Sequence, residues 1–141
     1  MNKLPAQIIQ FISSQFVFSL ATSKNNHPYS ANCYYVPSLS NDELIFASDP
    51  KTNHAKQFIE NKYVSATISL CTDDVKKIKG LQITGEITLI EGDDLVNAKE
   101  IYIQKFPIAK DMELNLWGLK YTFIKMTDNS KGFGKKLIWQ Q

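Results

Sequence analysis

The hydrophobic positions change period along this chain, and each change marks an element. Leu4, Ile8, Ile9, Phe11 and Ile12 form one broad stripe, which predicts a short amphipathic helix over Leu4–Gln15 with Pro5 in its first turn. Phe16–Ser23 (FVFSLATS) is rich in β formers and predicts a strand. The turn Lys24–Pro28 leads to a returning strand, Tyr29–Val36, so the two make an antiparallel hairpin. After a polar loop, Pro37–Glu43, comes the stretch around which the chain is organised. It reads as a strand (Leu44–Ser48), a polar turn (Asp49–Lys51), a helix from Thr52 to about Lys62 and a strand (Tyr63–Cys71). Ala55, Phe58 and Ile59 lie at helical spacing in that helix.

Beyond a charged loop, Thr72–Lys77, a long strand is predicted over Ile78–Glu91, with Gly80 and Gly85 inside it as signs of a bulge or a close approach. A helix follows over Asp93–Phe106, with Asp93 and Asp94 at its positive end and Leu95, Ala98, Ile101 and Tyr102 on its buried face. Leu114–Thr127 is a strand with Leu116, Tyr121, Phe123 and Ile124 as packing candidates. Asp128–Ser130 is a turn, and Gly132–Trp139 is the last strand. About seven strands, mostly consecutive antiparallel neighbours, with three short helices predict a mainly β protein with peripheral helices. A closed or split β-barrel is favoured over a doubly wound sheet, with one-sheet α+β folds as the alternative.

Composition narrows the function classes. The 141 residues suit a single domain, 43% hydrophobic and 21% charged, as in soluble globular proteins. A net charge of +2 is too small to point to nucleic acid or an anionic membrane surface. No apolar run reaches the length of a membrane span, and the N-terminus lacks the apolar core of a signal peptide. Cys33 and Cys71 have no metal-like spacing and sit in strand-like runs, which predicts buried, reduced thiols in a cytoplasmic protein.

The candidate chemistry is sparse. His27 and His54 are the only histidines, with no HExxH, CxxC or GxGxxG motif around them. The helix starting at Thr52, Asn53 and His54, just after Lys51, offers unpaired backbone N–H groups and a partial positive charge, which suit a phosphate. The competing use of the same residues is internal, with Asp49 as the cap and Pro50 in the first helical position. The run Gly132–Lys136 (GFGKK) offers amides and two cations to an anion, or else a turn and a solvated edge strand. Tyr34, Tyr35, Trp117, Tyr121, Phe133 and Trp139 could stack on a planar ligand, or form core and subunit-interface packing.

Against these residues a family resemblance stands out. FASDPKTNHAKQFIEN resembles the helix-start segment of the pyridoxamine 5′-phosphate oxidase-like FMN-binding split barrels, FSLATS…HPYSANCYYV their first hairpin, and KGLQITGEITLIE a later strand. KTNHA, KFPIAK and the C-terminal TDNSKGFGKKLIW are similar to the small YhbP-like branch of that family. The resemblance implies a Greek-key split barrel and a homodimer, with FMN in two interface clefts and its phosphate at the helix after strand three. Carried over, the family's Tyr-Thr pair falls on Ala47 and Ser48, its Ser on Thr52, and its Arg-Lys pair on Asn53 and His54. Its strand-two Arg and Lys fall near Ala31 and Val36. Its flavin-contacting Gln falls near Gly80, with Gln82 as the nearest substitute. Tyr35 and Trp117 are then ring neighbours, and Lys51, Lys79 and His54 are the cations that remain.

The loss of fixed cations matters because charge-assisted hydrogen bonds to a phosphate dianion are roughly twice as strong as neutral ones. It implies FMN binding weaker than in the oxidases, or binding that needs His54 protonated. The C-terminal Arg and His residues that grip pyridoxamine phosphate have no counterpart in GFGKKLIWQQ, so oxidation of that substrate is not expected. Three expectations follow from different classes. The first is a flavoprotein, with any oxidoreductase chemistry belonging to the flavin. The second is a non-catalytic module for haem or another planar anionic ligand in the cleft, and the third a structural dimer with a vestigial cleft.

Overall fold

The computed structural model describes residues 2–141. Its first hairpin shows how strand alternation builds the molecule. In β1 (Val17–Lys24), Phe18, Leu20 and Thr22 are buried while their neighbours face outward. β1 pairs along its whole length with β2 (His27–Ser38). The turn is only Asn25-Asn26, both at positive φ (49° and 65°), a conformation Asn tolerates and one that matches strand twist. His27 and Pro28 therefore belong to β2 and not to the connection, and Pro37 and Ser38 extend the same strand.

β3 (Glu43–Ala47), α2 (Asn53–Glu60), β4 (Tyr63–Ser69), β5 (Lys79–Leu89), α3 (Asp93–Lys105), β6 (Leu116–Asp128) and β7 (Lys136–Gln140) follow, after an N-terminal α1 (Ala6–Ser14). All pairings are antiparallel, in the order β3-β2-β1-β4-β5-β6-β7, with β3 also joined to β6. That last pairing closes a six-stranded barrel. The order β4-β1-β2-β3 is a Greek key, as expected. β6 is long enough to serve two neighbours on one side. Its first part, Leu116–Lys120, pairs with β3, and Phe123–Thr127 pairs with β7.

The barrel is filled by Phe18, Tyr35, Phe46, Leu81, Ile83 and Leu119, each at most 2% exposed. Phe18 packs edge-on against Tyr35 and Phe46, with ring centroids 5.8 and 5.3 Å apart. Ile8, Phe11 and Ile12 of α1 join this core, and the Tyr35 hydroxyl donates to the Ile12 carbonyl at 2.6 Å. A second cluster lies outside the barrel. There Ala98 and Tyr102 of α3, with the half-buried Leu95 and Ile101, pack on Val36, Ile45 and Leu116.

Two further expectations are corrected. Cys33 is buried, its thiol pushed up to about 11 by desolvation, but Cys71 lies beyond the end of β4 and is exposed. The last strand begins at Lys136, because Gly132 and Gly134 take φ of 129° and 72°, which makes GFG a turn with Phe133 at its exposed tip. Among the described residues no helix is long and apolar enough to cross a membrane, and no three His, Cys, Asp or Glu side chains gather as metal ligands.

Candidate functional site

The chain leaves β3 at Ala47 and must turn before α2, and that turn builds the candidate site. Asp49 accepts through Oδ1 from the Lys51 backbone N–H at 2.8 Å, folding the chain over Pro50. Thr52, not Asp49, is the N-cap of α2. Its Oγ1 accepts from the Ala55 N–H at 3.3 Å and donates to the Asp49 carbonyl at 2.8 Å. The alternative with Asp49 as cap and Pro50 in the first helical position is thus corrected, because the Asp49 side chain meets a nearer donor. Among the described residues the N–H groups of Asn53 and His54 have no partner, which leaves two donors at the positive end of the helix.

His54 folds back from the first helical turn onto the end of β3. Its Nε2 lies 2.7 Å from Ser48 Oγ and 3.3 Å from Thr52 Oγ1. The Thr52 proton is committed to Asp49, so Thr52 can only accept towards the imidazole and towards Ser48 Oγ, 3.4 Å away; of the three residues, Ser48 is the one that lines the adjoining groove. Ser48 is itself held at both backbone atoms. Its N–H donates to the Asn115 carbonyl at 3.0 Å, and its carbonyl accepts from Trp117 Nε1 at 3.0 Å. Burial lowers the His54 pKa, which favours a neutral ring at neutral pH.

α2 is fixed to the first hairpin by polar contacts as well as by Phe58. Gln57 accepts from buried Thr22 at 2.7 Å and donates to the His27 carbonyl, and Asn61 donates to the Ser23 carbonyl. A Lys24–Glu60 ion pair adds a contact at the rim. Ser48 opens onto a groove of about 670 Å³ between the Ala47–Lys51 turn and the segment from Met112 to Asn115. The second wall was not legible in the sequence, where Met112–Asn115 carries no motif and lies far from Ser48; the β3–β6 pairing, with Ala47 opposite Leu116, and the Ser48–Asn115 hydrogen bond bring it there.

The nine residues singled out from the sequence do not all meet. Ser48, Thr52 and His54 form one cluster, Lys51 stands exposed on the groove rim, and Asn53 is exposed on the first turn of α2. Trp117 is 7% exposed, anchors the Ser48 carbonyl and packs on Phe58, so it supports the site from behind. Tyr35 is fully buried inside the barrel, because strand alternation turns Tyr34 outward and Tyr35 inward; as a ring neighbour it is corrected. Lys79 pairs with Asp128 at 3.7 Å, at the far end of the β5–β6 ladder from Trp117. Gln82 is exposed on the outer face of β5, between Thr67 and Lys125. Neither reaches the Ser48 cluster within one chain.

A model of the pyridoxamine 5′-phosphate oxidase family matches residues 4–115. The chain belongs to this family. A UPF0306 protein of Yersinia pestis bv. Antiqua (strain Angola) is 34% identical over 134 residues, covering 95% of this chain and 91% of that one. Family membership agrees with the shape of the barrel. A heme binding protein from Mycobacterium smegmatis superposes with a TM-score of 0.79 at 16% identity over 97% of this chain, which spans 59% of that longer chain. A FAD-binding protein from Mesorhizobium loti superposes with a TM-score of 0.70 at 16% identity, over 87% of this chain and 92% of that one. At such identities these two likenesses establish the fold, a split barrel of the pyridoxamine phosphate oxidase type.

Proposed function

We propose that this protein binds FMN, with the phosphate at the start of α2, as a homodimer in which the second subunit completes the cleft. The observation that carries this is the Ser48 hydroxyl at 2.7 Å from the His54 imidazole, beside two unpaired helix amides and an open groove. These groups suit a phosphate: two N–H donors, one hydroxyl and one imidazole that gains a proton when an anion arrives. A bound flavin would supply the redox chemistry, and this chain's residues would hold and orient it. Lys51 is the cation nearest the groove and it is exposed, so the binding is weaker than a site with fixed arginines would give. In this reading any contact of Lys79 or Gln82 with the ligand comes from the partner subunit, since neither reaches Ser48 within one chain.

Exposed apolar side chains support the dimer. Phe16, Tyr34, Ile59 and Tyr63 are each more than half exposed (57%, 61%, 54% and 63%). A second copy is the partner that buries such side chains in this reading, and light scattering that gives a monomer at micromolar concentration would refute it.

The central test is flavin fluorescence during titration of the protein with FMN at several pH values. Because burial holds His54 neutral and a phosphate dianion favours its protonated form, binding takes up a proton. Affinity is expected to rise as pH falls from 8 towards 6.5, by at most roughly tenfold per pH unit for one linked proton. His54→Ala should weaken binding and flatten this dependence. Absence of quenching at millimolar FMN ends the proposal. Thr52→Ala is a poor probe, because losing the cap alone costs about 1 kcal/mol of stability.

A second reading, haem in the same groove, draws on the His54 imidazole, which burial favours in its neutral form, and on the likeness to the mycobacterial heme binding protein. A Soret shift with hemin that His54→Ala removes, with no response to FMN, would select it.

A further inference from the structure

A second cavity, of about 530 Å³, lies between α3 and the outer face of β3, β5 and β6. No residue lines both this cavity and the groove beside Ser48. Its key residue is Glu43. Leu44 and Phe46 of β3 point into the barrel, which turns Glu43 and Ile45 outward towards α3. Glu43 is 5% exposed, and among the described residues its carboxylate is in no ion pair; the neutral Asn41 side chain is its hydrogen-bond donor, and Lys120 stands across the ladder from it. Burial raises its pKa, and Asp94 adds to the rise; the Lys120 charge and the Asn41 side chain oppose it without cancelling it. A buried carboxylate with a neutral donor but no paired cation can take one, and the cavity it lines is where a cation can enter.

The Glu43 carboxylate rests where a side chain on Gly118 would be. A Cβ on Gly118 would stand 2.3 Å from Glu43 Oε2 and 3.1 Å from Thr88 Oγ1. Gly118 lies within β6 and is not among the positive-φ glycines, so its missing side chain makes room and does not serve a turn. Asp94 and Glu100 add two exposed carboxylates at the rim, against the single cation Lys120. Ile45, Ala98 and Ile101 supply an apolar wall between the two ends. The acidic groups do not converge as a metal site among the described residues, so the charge is spread along the cavity.

We propose that this cavity binds an aliphatic diamine or polyamine, with one ammonium seated on Glu43 above Gly118 and another near Asp94 and Glu100. An ammonium supplies further N–H donors and the paired positive charge that Glu43 lacks, and a hydrocarbon spacer matches the isoleucine and alanine wall. The volume falls in the range of sites that enclose small molecules.

The test is calorimetric titration of the whole protein with putrescine and with spermidine at low salt. Saturable binding at submillimolar amine is expected. Glu43→Gln, which keeps the shape and removes the charge, should weaken it by roughly tenfold or more. Gly118→Ala should also weaken it by pushing the Glu43 carboxylate out of place, and the surface control Asp73→Asn should leave it unchanged. Because Glu43→Gln relieves a buried charge, that variant should fold even if Gly118→Ala does not. Three outcomes overturn the proposal: no saturable binding at millimolar amine, binding that Glu43→Gln leaves intact, or Mg²⁺ occupying the site in place of either amine. FMN titration of Glu43→Gln should match the wild type, so a failure here is separable from failure of the flavin site.

Discussion

Gly85→Ala is expected to cost about 3 kcal/mol of stability or more, enough to unfold a large share of a domain whose total margin is of order 5–15 kcal/mol. Gly85 sits where the β5–β6 register shifts, so that Thr84 faces Phe123 and Gly85 faces Tyr121. A Cβ at Gly85 would lie 2.2 Å from the Lys120 carbonyl oxygen and 2.8 Å from Leu119 Cδ2. Leu119 is fully buried in the barrel and the Lys120 oxygen belongs to the ladder backbone, so neither can step aside by a simple side-chain rotation. The two strands must separate, in the longest pairing of the barrel. Urea unfolding followed by circular dichroism is the measurement; a midpoint within error of the wild type would refute this account of the bulge.

The second large effect is expected from Phe58→Ala, at roughly 3–5 kcal/mol. Phe58 is 1% exposed, with its ring centroid 4.8 Å from that of Trp117 and 6.0 Å from that of Phe46. It therefore joins α2 to the barrel core. Its ring also lies 6.2 Å from the His54 imidazole, and Trp117 in turn holds the Ser48 carbonyl. Emptying the Phe58 position should thus loosen the ligand cluster as well as the core. The expected result is a lower denaturation midpoint with an unchanged m-value, and weaker FMN binding at a temperature where the variant is still folded. Phe58→Leu, which keeps most of the volume, should recover much of both. A Phe58→Ala protein with wild-type stability would sink the packing argument, and one with wild-type FMN affinity would sink the link to the site.

Much of the barrel could be read from the chain because strand alternation is a local property. Phe18 and Leu20 in β1, and Leu81 and Ile83 in β5, are spaced by two, and the same spacing buries them. The helix of Asp93–Lys105 and its buried Ala98 and Tyr102 were legible for the same reason at a different period. Element ends were less so. Asn25-Asn26 makes a two-residue turn because both residues accept positive φ, while His27 and Pro28 look like loop residues and are strand. The same limit moved the start of the last strand from Gly132 to Lys136.

The candidate site divides in the same way. Ser48, Thr52 and His54 are close in sequence, on a strand end and the helix it feeds, so their meeting follows from one turn. Tyr35 and Trp117 are aromatic by sequence, and nothing in that fact says which way each ring faces. The face of β2 and the end of β6 decide it, sending Tyr35 into the core and Trp117 behind Ser48.

The amino-acid order alone determined the strand and helix content, the family, and the polar helix start at Thr52, because each of these is written in neighbouring residues. Only the closed barrel decided that Asn115 meets Ser48, that Lys79 and Gln82 stand apart from them, and that Glu43 is buried over Gly118. These are contacts between segments far apart in the chain, set by strand register and by which face of each strand turns inward, and neither is fixed until the β3–β6 pairing shuts the barrel.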